Sequence, residues 1–197
     1  MNKPILYLDI DNVVFNTVEA IKFMYDEDFR LYNGWIDVPV QDIKSYSFKE
    51  LQLLDNKRLN EYFCSGRFFD IVACFEGAES SMCSLNQLND IPIVLVSLGT
   101  PENIRGKRIW VNTFNQAFGT DIELIGVHDF DKSQIDMSGG ILVDDLPQNL
   151  ISSNADIKIC FGDYEWNKDW EGVKAENWSK LRGLIYGEVK KHVKSNN

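Results

Sequence analysis

The chain has 197 residues, 44% hydrophobic, 25% charged and 12% aromatic, which is the size and make-up of one globular domain and excludes disordered, collagen-like and low-complexity classes. Thirty acidic against twenty basic side chains give a formal charge of −10; this repels a phosphate backbone, so no duplex nucleic acid is expected, while a small phosphorylated partner remains compatible. No apolar stretch approaches the roughly 18 residues that span a bilayer, and residues 1–8 lack a signal-peptide pattern, so the chain is read as cytoplasmic with no membrane partner.

The first apolar run, residues 4–8, ends on Asp9-Ile-Asp11-Asn12 and predicts a buried strand that delivers carboxylates to its C-terminal edge. Residues 15–75 break the pattern that follows. Ile21, Met24 and Tyr25 mark a helix, and an aromatic-rich, turn-containing stretch comes after it. This segment is read as a small helical cap inserted after the first strand, between core segments 1–14 and 76–197, with its aromatics forming the cap's own core in preference to a ligand pocket.

Residues 79–88 predict a helix, and residues 91–96 a strand ending at Ser97. Residues 105–118 follow as a helix carrying Ile109, Val111, Phe114 and Phe118. A strand over 122–127 precedes His128-Asp-Phe-Asp-Lys132, a strand over 140–143 ends on Asp144-Asp145, and another covers 156–161. A last helix spans 177–193, with 194–197 frayed. This alternation predicts an α/β, Rossmann-like parallel sheet with helices on both faces, where ligands sit outside the carboxyl ends of the strands.

The four cysteines, Cys64, Cys74, Cys83 and Cys160, form no C-x-x-C pair and are read as free thiols. Asp9 with Asp11, and Asp144 with Asp145, supply oxygen donors that suit a hard cation such as Mg²⁺. Either pair alone could equally be turn formers and helix caps. Ser97 and Lys132 at the same sheet edge add the donors a phosphoryl group needs.

The order Asp-Ile-Asp-Asn-Val (9–13), Ser97, Lys132 and Ile-Leu-Val-Asp-Asp (141–145) resembles the four signature motifs of the haloacid dehalogenase superfamily of phosphohydrolases. Within it the chain is similar to the 5′(3′)-deoxyribonucleotidases, through the Asp-x-Asp-x-Val start, Phe68-Phe69 before Gly77-Ala78, Asp131-Lys132 and Trp166-Asn167. Two positions depart from that group. Leu146-Pro147 stands where it has Arg-Pro, and Ser97-Leu98-Gly99 where it has Thr-Ser-Pro.

The resemblance implies a Mg²⁺-dependent phosphomonoesterase acting on a small phosphorylated substrate, a deoxynucleoside monophosphate. Asp9 would be the nucleophile that forms an aspartyl-phosphate, and Asp11 the acid and base. The metal would lie on the Asp9 carboxylate, the Asp11 carbonyl and Asp145, with Asp144 behind them, while Ser97 and Lys132 grip the phosphate. Phe68 and Phe69 are the candidates for contact with a base. The alternatives are a phosphatase of another small metabolite or of a phosphoprotein, and a catalytically silent binding module of the same fold.

His128 lies near the predicted site but has no role in this chemistry, and His192 is read as solvated. Trp166, Trp170 and Trp178 are read as packing residues at least as readily as a binding platform. The lysines of the 190–194 run are read as complementing a helix C-terminus. An edge strand or the cap could support a homodimer, although no heptad or long apolar face demands one.

Overall fold

The computed structural model describes residues 3–128 and 131–195. Short runs rich in Ile, Leu and Val form six strands: β1 (Leu6–Leu8), β2 (Ile93–Leu98), β3 (Glu123–Val127), β4 (Ile141–Asp144), β5 (Ile157–Phe161) and β6 (Val173–Ala175). They pair in the order β3-β2-β1-β4-β5-β6, every pair parallel. Leu6 is in register with Ile93 on one side and Ile141 on the other. The chain order therefore reverses about β1, and the crevice at such a switch point is where open α/β sheets bind ligands.

The two-residue period of the strands divides the apolar side chains into two cores. Leu6, Leu8, Ile141, Val143, Ile159 and Phe161 join the larger one, whereas Tyr7, Val96, Leu142 and Cys160 join a smaller one on the opposite face. Helices α1 (Thr17–Phe29), α2 (Asn56–Cys64), α3 (Gly66–Ile71), α4 (Ala78–Cys83), α5 (Pro101–Phe118) and α7 (Trp178–Ser195) put side chains into the larger core. Leu150 of α6 (Pro147–Ser152) enters the smaller one. The predicted helix over 79–88 is α4 continued by a π-turn over Ser84–Leu88.

Local chemistry sets the helix ends. Thr100 caps α5 by accepting from Asn103 N at 3.3 Å, Pro101 opens its first turn, and Gly119 closes it at φ 66°, a left-handed value that costs glycine least. Asp55 caps α2, and Ser65 both ends α2 and caps α3.

The segment between β1 and β2 carries α1 to α4. Its aromatics Tyr25, Phe48, Tyr62 and Phe68 do not make a separate core, because they share one cluster with Leu8, Phe161 and Trp178 of the sheet and its helices. In α5, Val111 and Phe114 are buried as expected, but Ile109 and Phe118 are exposed. Strand β6 is not expected from the sequence: unlike the equally short β1, Val173-Lys174-Ala175 sits in no apolar run. Helix α7 continues to Ser195, beyond the expected end at 193. Asp129, Phe130, Asn196, Asn197 and the side chain of His192 lie outside the described residues. Among the described residues no helix is long and apolar enough to cross a membrane, and the four cysteines are free.

Candidate active site

The strand ends of β1 and β4 bring three carboxylates together. Oxygen atoms of Asp9, Asp144 and Asp145 all lie within 4.8 Å of one another, and all three residues are buried. Asp9 follows β1, with its amide donating to Val143 O at 2.9 Å. The chain then turns sharply through Asn12 at φ 56°, where Val14 and Phe15 both donate back to Ile10 O; asparagine tolerates that left-handed conformation. The turn keeps Asp11 and Asn12 at the sheet edge. Asn12 Oδ1 accepts from Val18 N at 3.2 Å, and its amide nitrogen lies 3.4 Å from Asp145 Oδ2.

Lys132 is fully buried and donates to Asp9 Oδ1 and Asp144 Oδ2, each at 2.6 Å. Asp144 also accepts from both Leu146 N at 2.9 Å and Asn149 Nδ2 at 3.1 Å. It is thus saturated by fixed donors. Asp145 has less: Trp166 Nε1 at 3.1 Å and the longer Asn12 contact, both on Oδ2.

One ammonium among three buried carboxylates leaves an excess of negative charge, and the protonation equilibria show it. Burial pushes the Asp9 carboxyl up to about 7, with Asp144 and Asp11 adding to the rise and Lys132 opposing it. Asp145 is raised well above the ordinary carboxylate range, first by burial and then by Asp144 and Asp9. Burial alone would lower Lys132, but Asp144 and Asp9 outweigh it and hold the ammonium above its ordinary value. Desolvated carboxylates of this kind are stabilised by a cation, and an all-oxygen donor set fits a hard divalent ion.

Asp11 occupies the rim. Its Oδ1 accepts from Thr17 Oγ1 at 3.0 Å and its Oδ2 from Lys107 Nζ. Lys107, fully buried, also donates to Ser97 Oγ at 2.7 Å. Lys132 therefore links the predicted site residues Asp9 and Asp144, and Lys107, which the sequence did not single out, links Asp11 and Ser97, while Asp145 is held by Trp166 and Asn12. Lys107 could have been noticed, because it shares the stripe of α5 with Asn103, Val111 and Phe114, at spacings of three and four, and all four are buried.

Two cavities meet at Asp11. One of about 330 Å³ is lined by Asp9, Asp11, Asp145, Tyr46, Phe63 and Leu146 among others. The other, about 500 Å³, includes Asp11, Asn60, Phe63, Thr100 and His128. His128 Nδ1 bonds to Gly99 O at 2.8 Å.

Neither cavity is lined by Ser97, Phe68 or Phe69. Phe68 is fully buried against Phe63. Phe69 lies on α5, so close that a Cβ at Gly106 would come within 2.1 Å of its ring. Phe63 is the aromatic residue that faces both cavities. Of the three late tryptophans, Trp178 packs in the core and donates to Val13 O at 2.8 Å, Trp170 donates to Val173 O, and Trp166 reaches Asp145.

Comparison with known proteins adds an independent finding. Residues 3–192 match the family model described as 5′ nucleotidase, deoxy (pyrimidine), cytosolic type C protein. Among solved structures, a predicted phosphatase from Clostridium acetobutylicum aligns with a TM-score of 0.65 at 16% identity, over 95% of this chain and 100% of that one. A HAD-superfamily hydrolase from Ehrlichia chaffeensis aligns at 0.53 and 18%, over 95% and 98%. CbbY from Rhodobacter sphaeroides, solved with phosphate, aligns at 0.56 and 13%, over 91% and 96%. No curated protein matches the chain. At these identities the structural likenesses speak for the fold.

Proposed function

Because the chain belongs to the deoxy (pyrimidine) 5′-nucleotidase, cytosolic type C family, we propose that it hydrolyses deoxynucleoside monophosphates to nucleoside and phosphate through a phosphorylated Asp9. That the chain is a phosphatase of phosphoric monoesters follows from the family itself; the substrate and the covalent route are the proposal. The observation that carries it is the buried Asp9–Lys132–Asp144–Asp145 cluster opening, beside Asp11, onto a cavity.

In this reading an Asp9 carboxylate oxygen attacks phosphorus and the bond from phosphorus to the sugar oxygen breaks. Asp11 gives that oxygen its proton. Water then attacks the phosphoryl group, Asp11 takes the water's proton, and the bond from Asp9 to phosphorus breaks, restoring both carboxyl groups. Lys132, already on Asp9, holds the nucleophile and offsets charge on the phosphate oxygens, while Ser97 bonds to Lys107, which in turn holds Asp11.

Asp9, the Asp11 carbonyl and Asp145 would hold Mg²⁺, and Asp144, taken up by Lys132, Leu146 N and Asn149, would stand behind them. When bound, the ion supplies positive charge that lets a carboxylate approach a phosphate dianion. The cavity volumes fall in the range of small-ligand sites, and Phe63 offers an aromatic face for the nucleoside. Leu146, where the resembling group carries arginine, lines the smaller cavity and supplies no charge to the phosphate.

The test is phosphate release from deoxy- and ribonucleoside 5′- and 3′-monophosphates, sugar phosphates and phosphotyrosine, with Mg²⁺ and with chelator. Mg²⁺-dependent release that favours deoxynucleotides supports the proposal. Release confined to sugar phosphates or phosphotyrosine overturns the substrate assignment.

A further inference from the structure

The loop after β5 is built to present one indole N–H to Asp145. Gly162 stands at φ 80°, and a Cβ there would lie 2.2 Å from the Tyr164 ring, so only glycine lets that ring lie back over the turn. Asn167, almost fully buried, then ties the loop down with its whole amide group. Its Nδ2 donates to Phe161 O at 2.9 Å and to the backbone oxygen of Asp145 itself at 3.0 Å, while its Oδ1 accepts from Tyr164 N at 3.1 Å.

Between these anchors Trp166 stacks on Tyr164, with ring centroids 4.4 Å apart and planes within 5°. Tyr164 OH in turn donates to Asn12 O at 3.3 Å. The loop is thereby fastened to both acidic strand ends, and Trp166 Nε1 reaches Asp145 Oδ2 at 3.1 Å. An indole donates one hydrogen bond and accepts none. It can therefore fix a carboxylate's rotation without competing for a cation.

We infer that Trp166, held by the Tyr164 stack and the Asn167 clamp, is the positioning residue that sets the Asp145 carboxylate for divalent-cation binding. This rests on the reading of Asp145 as a metal ligand. Asp144 needs no such device, since Lys132, Leu146 N and Asn149 already fix it. Removing a group that orients a metal-ligating side chain typically weakens metal affinity by about 10–100-fold.

Two measurements on the full chain test the inference. Direct Mn²⁺ binding, followed by calorimetry, compares the wild type with Trp166→Phe, which keeps an aromatic ring against Tyr164 and deletes the N–H. The expected result is Mn²⁺ affinity weaker by about tenfold or more, with KM for the phosphomonoester much less changed. The second measurement is the indole N–H spectrum of the wild type, in which one of the chain's five tryptophans should shift on Mg²⁺ titration, the one missing from Trp166→Phe.

Wild-type binding with equal affinity in Trp166→Phe overturns the inference and leaves the metal reading standing. Should the variant fold poorly, the wild-type spectrum decides alone, since an unmoved set of indole resonances at saturating Mg²⁺ overturns it as well. A wild type that binds neither ion overturns both the metal reading and this inference.

Discussion

Replacing Lys107 by methionine separates placement of Asp11 from the rest of the chemistry. The ammonium is fully buried and donates to Ser97 Oγ at 2.7 Å and to Asp11 Oδ2. Hydrogen bonds to charged groups contribute roughly 1.5–3 kcal/mol each. Two effects reduce the sum. The Asp11 side chain is 23% exposed, so water replaces part of what it loses, and methionine is spared the cost of burying a charge. The expected loss of stability is about 1–2 kcal/mol, read as a lower urea midpoint at unchanged slope.

The catalytic effect should be larger and substrate-dependent. A positioned general acid contributes roughly 10²–10⁴-fold, and Asp11 would keep only its Thr17 bond. Turnover of a deoxynucleoside monophosphate, whose alkoxide must be protonated as it leaves, should fall about 100-fold, or about 2.7 kcal/mol. Turnover of p-nitrophenyl phosphate, whose phenolate leaves without a proton, should fall less than about fivefold by the same reasoning. Equal losses on the two substrates, or none on either, would refute the assignment of Lys107 to Asp11.

Two further outcomes follow from packing and charge elsewhere. Burial pushes the Asp28 carboxyl up, but hydrogen bonds from Arg67, Tyr62 and Arg58 outweigh it and hold it below 3.8; its stabilisation is therefore present above the unfolded value and lost as pH falls through the folded one. Asp28→Asn should cost about 1–2 kcal/mol near neutrality, with the gap to wild type closing in acid unfolding, and a gap independent of pH would contradict the cluster. Gly106→Ala puts a Cβ 2.1 Å from the Phe69 ring, so overpacking of roughly 1–3 kcal/mol should exceed the roughly 1 kcal/mol gained in helix propensity, and a variant with a raised melting temperature would show that α3 and α5 are not held as described.

What was legible in the sequence was carried by local pattern. β1, β2 and β4 are short apolar runs that stop at Asp9, Ser97 and Asp144, so strand and site could be read from the same few residues. Beyond its first helix, the segment between β1 and β2 shows in the sequence only as an interruption, because α2 and α3 are short and its aromatics share the core of the sheet. Lys107 and Trp166 were hidden by residue type. A lysine in a helix ordinarily faces solvent, and a tryptophan near a terminal helix ordinarily packs; only the three-dimensional pairing with Asp11 and Asp145 gives them a role. Phe68 and Phe69 show the converse, since the sequence pair drew attention while Phe63, set apart from them, faces the cavities.

The central claim is that phosphate passes through Asp9. The most direct measurement is acid quenching during turnover of a deoxynucleoside monophosphate with Mg²⁺, followed by peptide mapping for a phosphoryl adduct, in the wild type and in Asp9→Asn. The account predicts an acid-stable, base-labile adduct on the peptide holding Asp9, absent from a folded and inactive Asp9→Asn. Turnover near the wild-type rate in that variant, or an adduct on another residue, would contradict it.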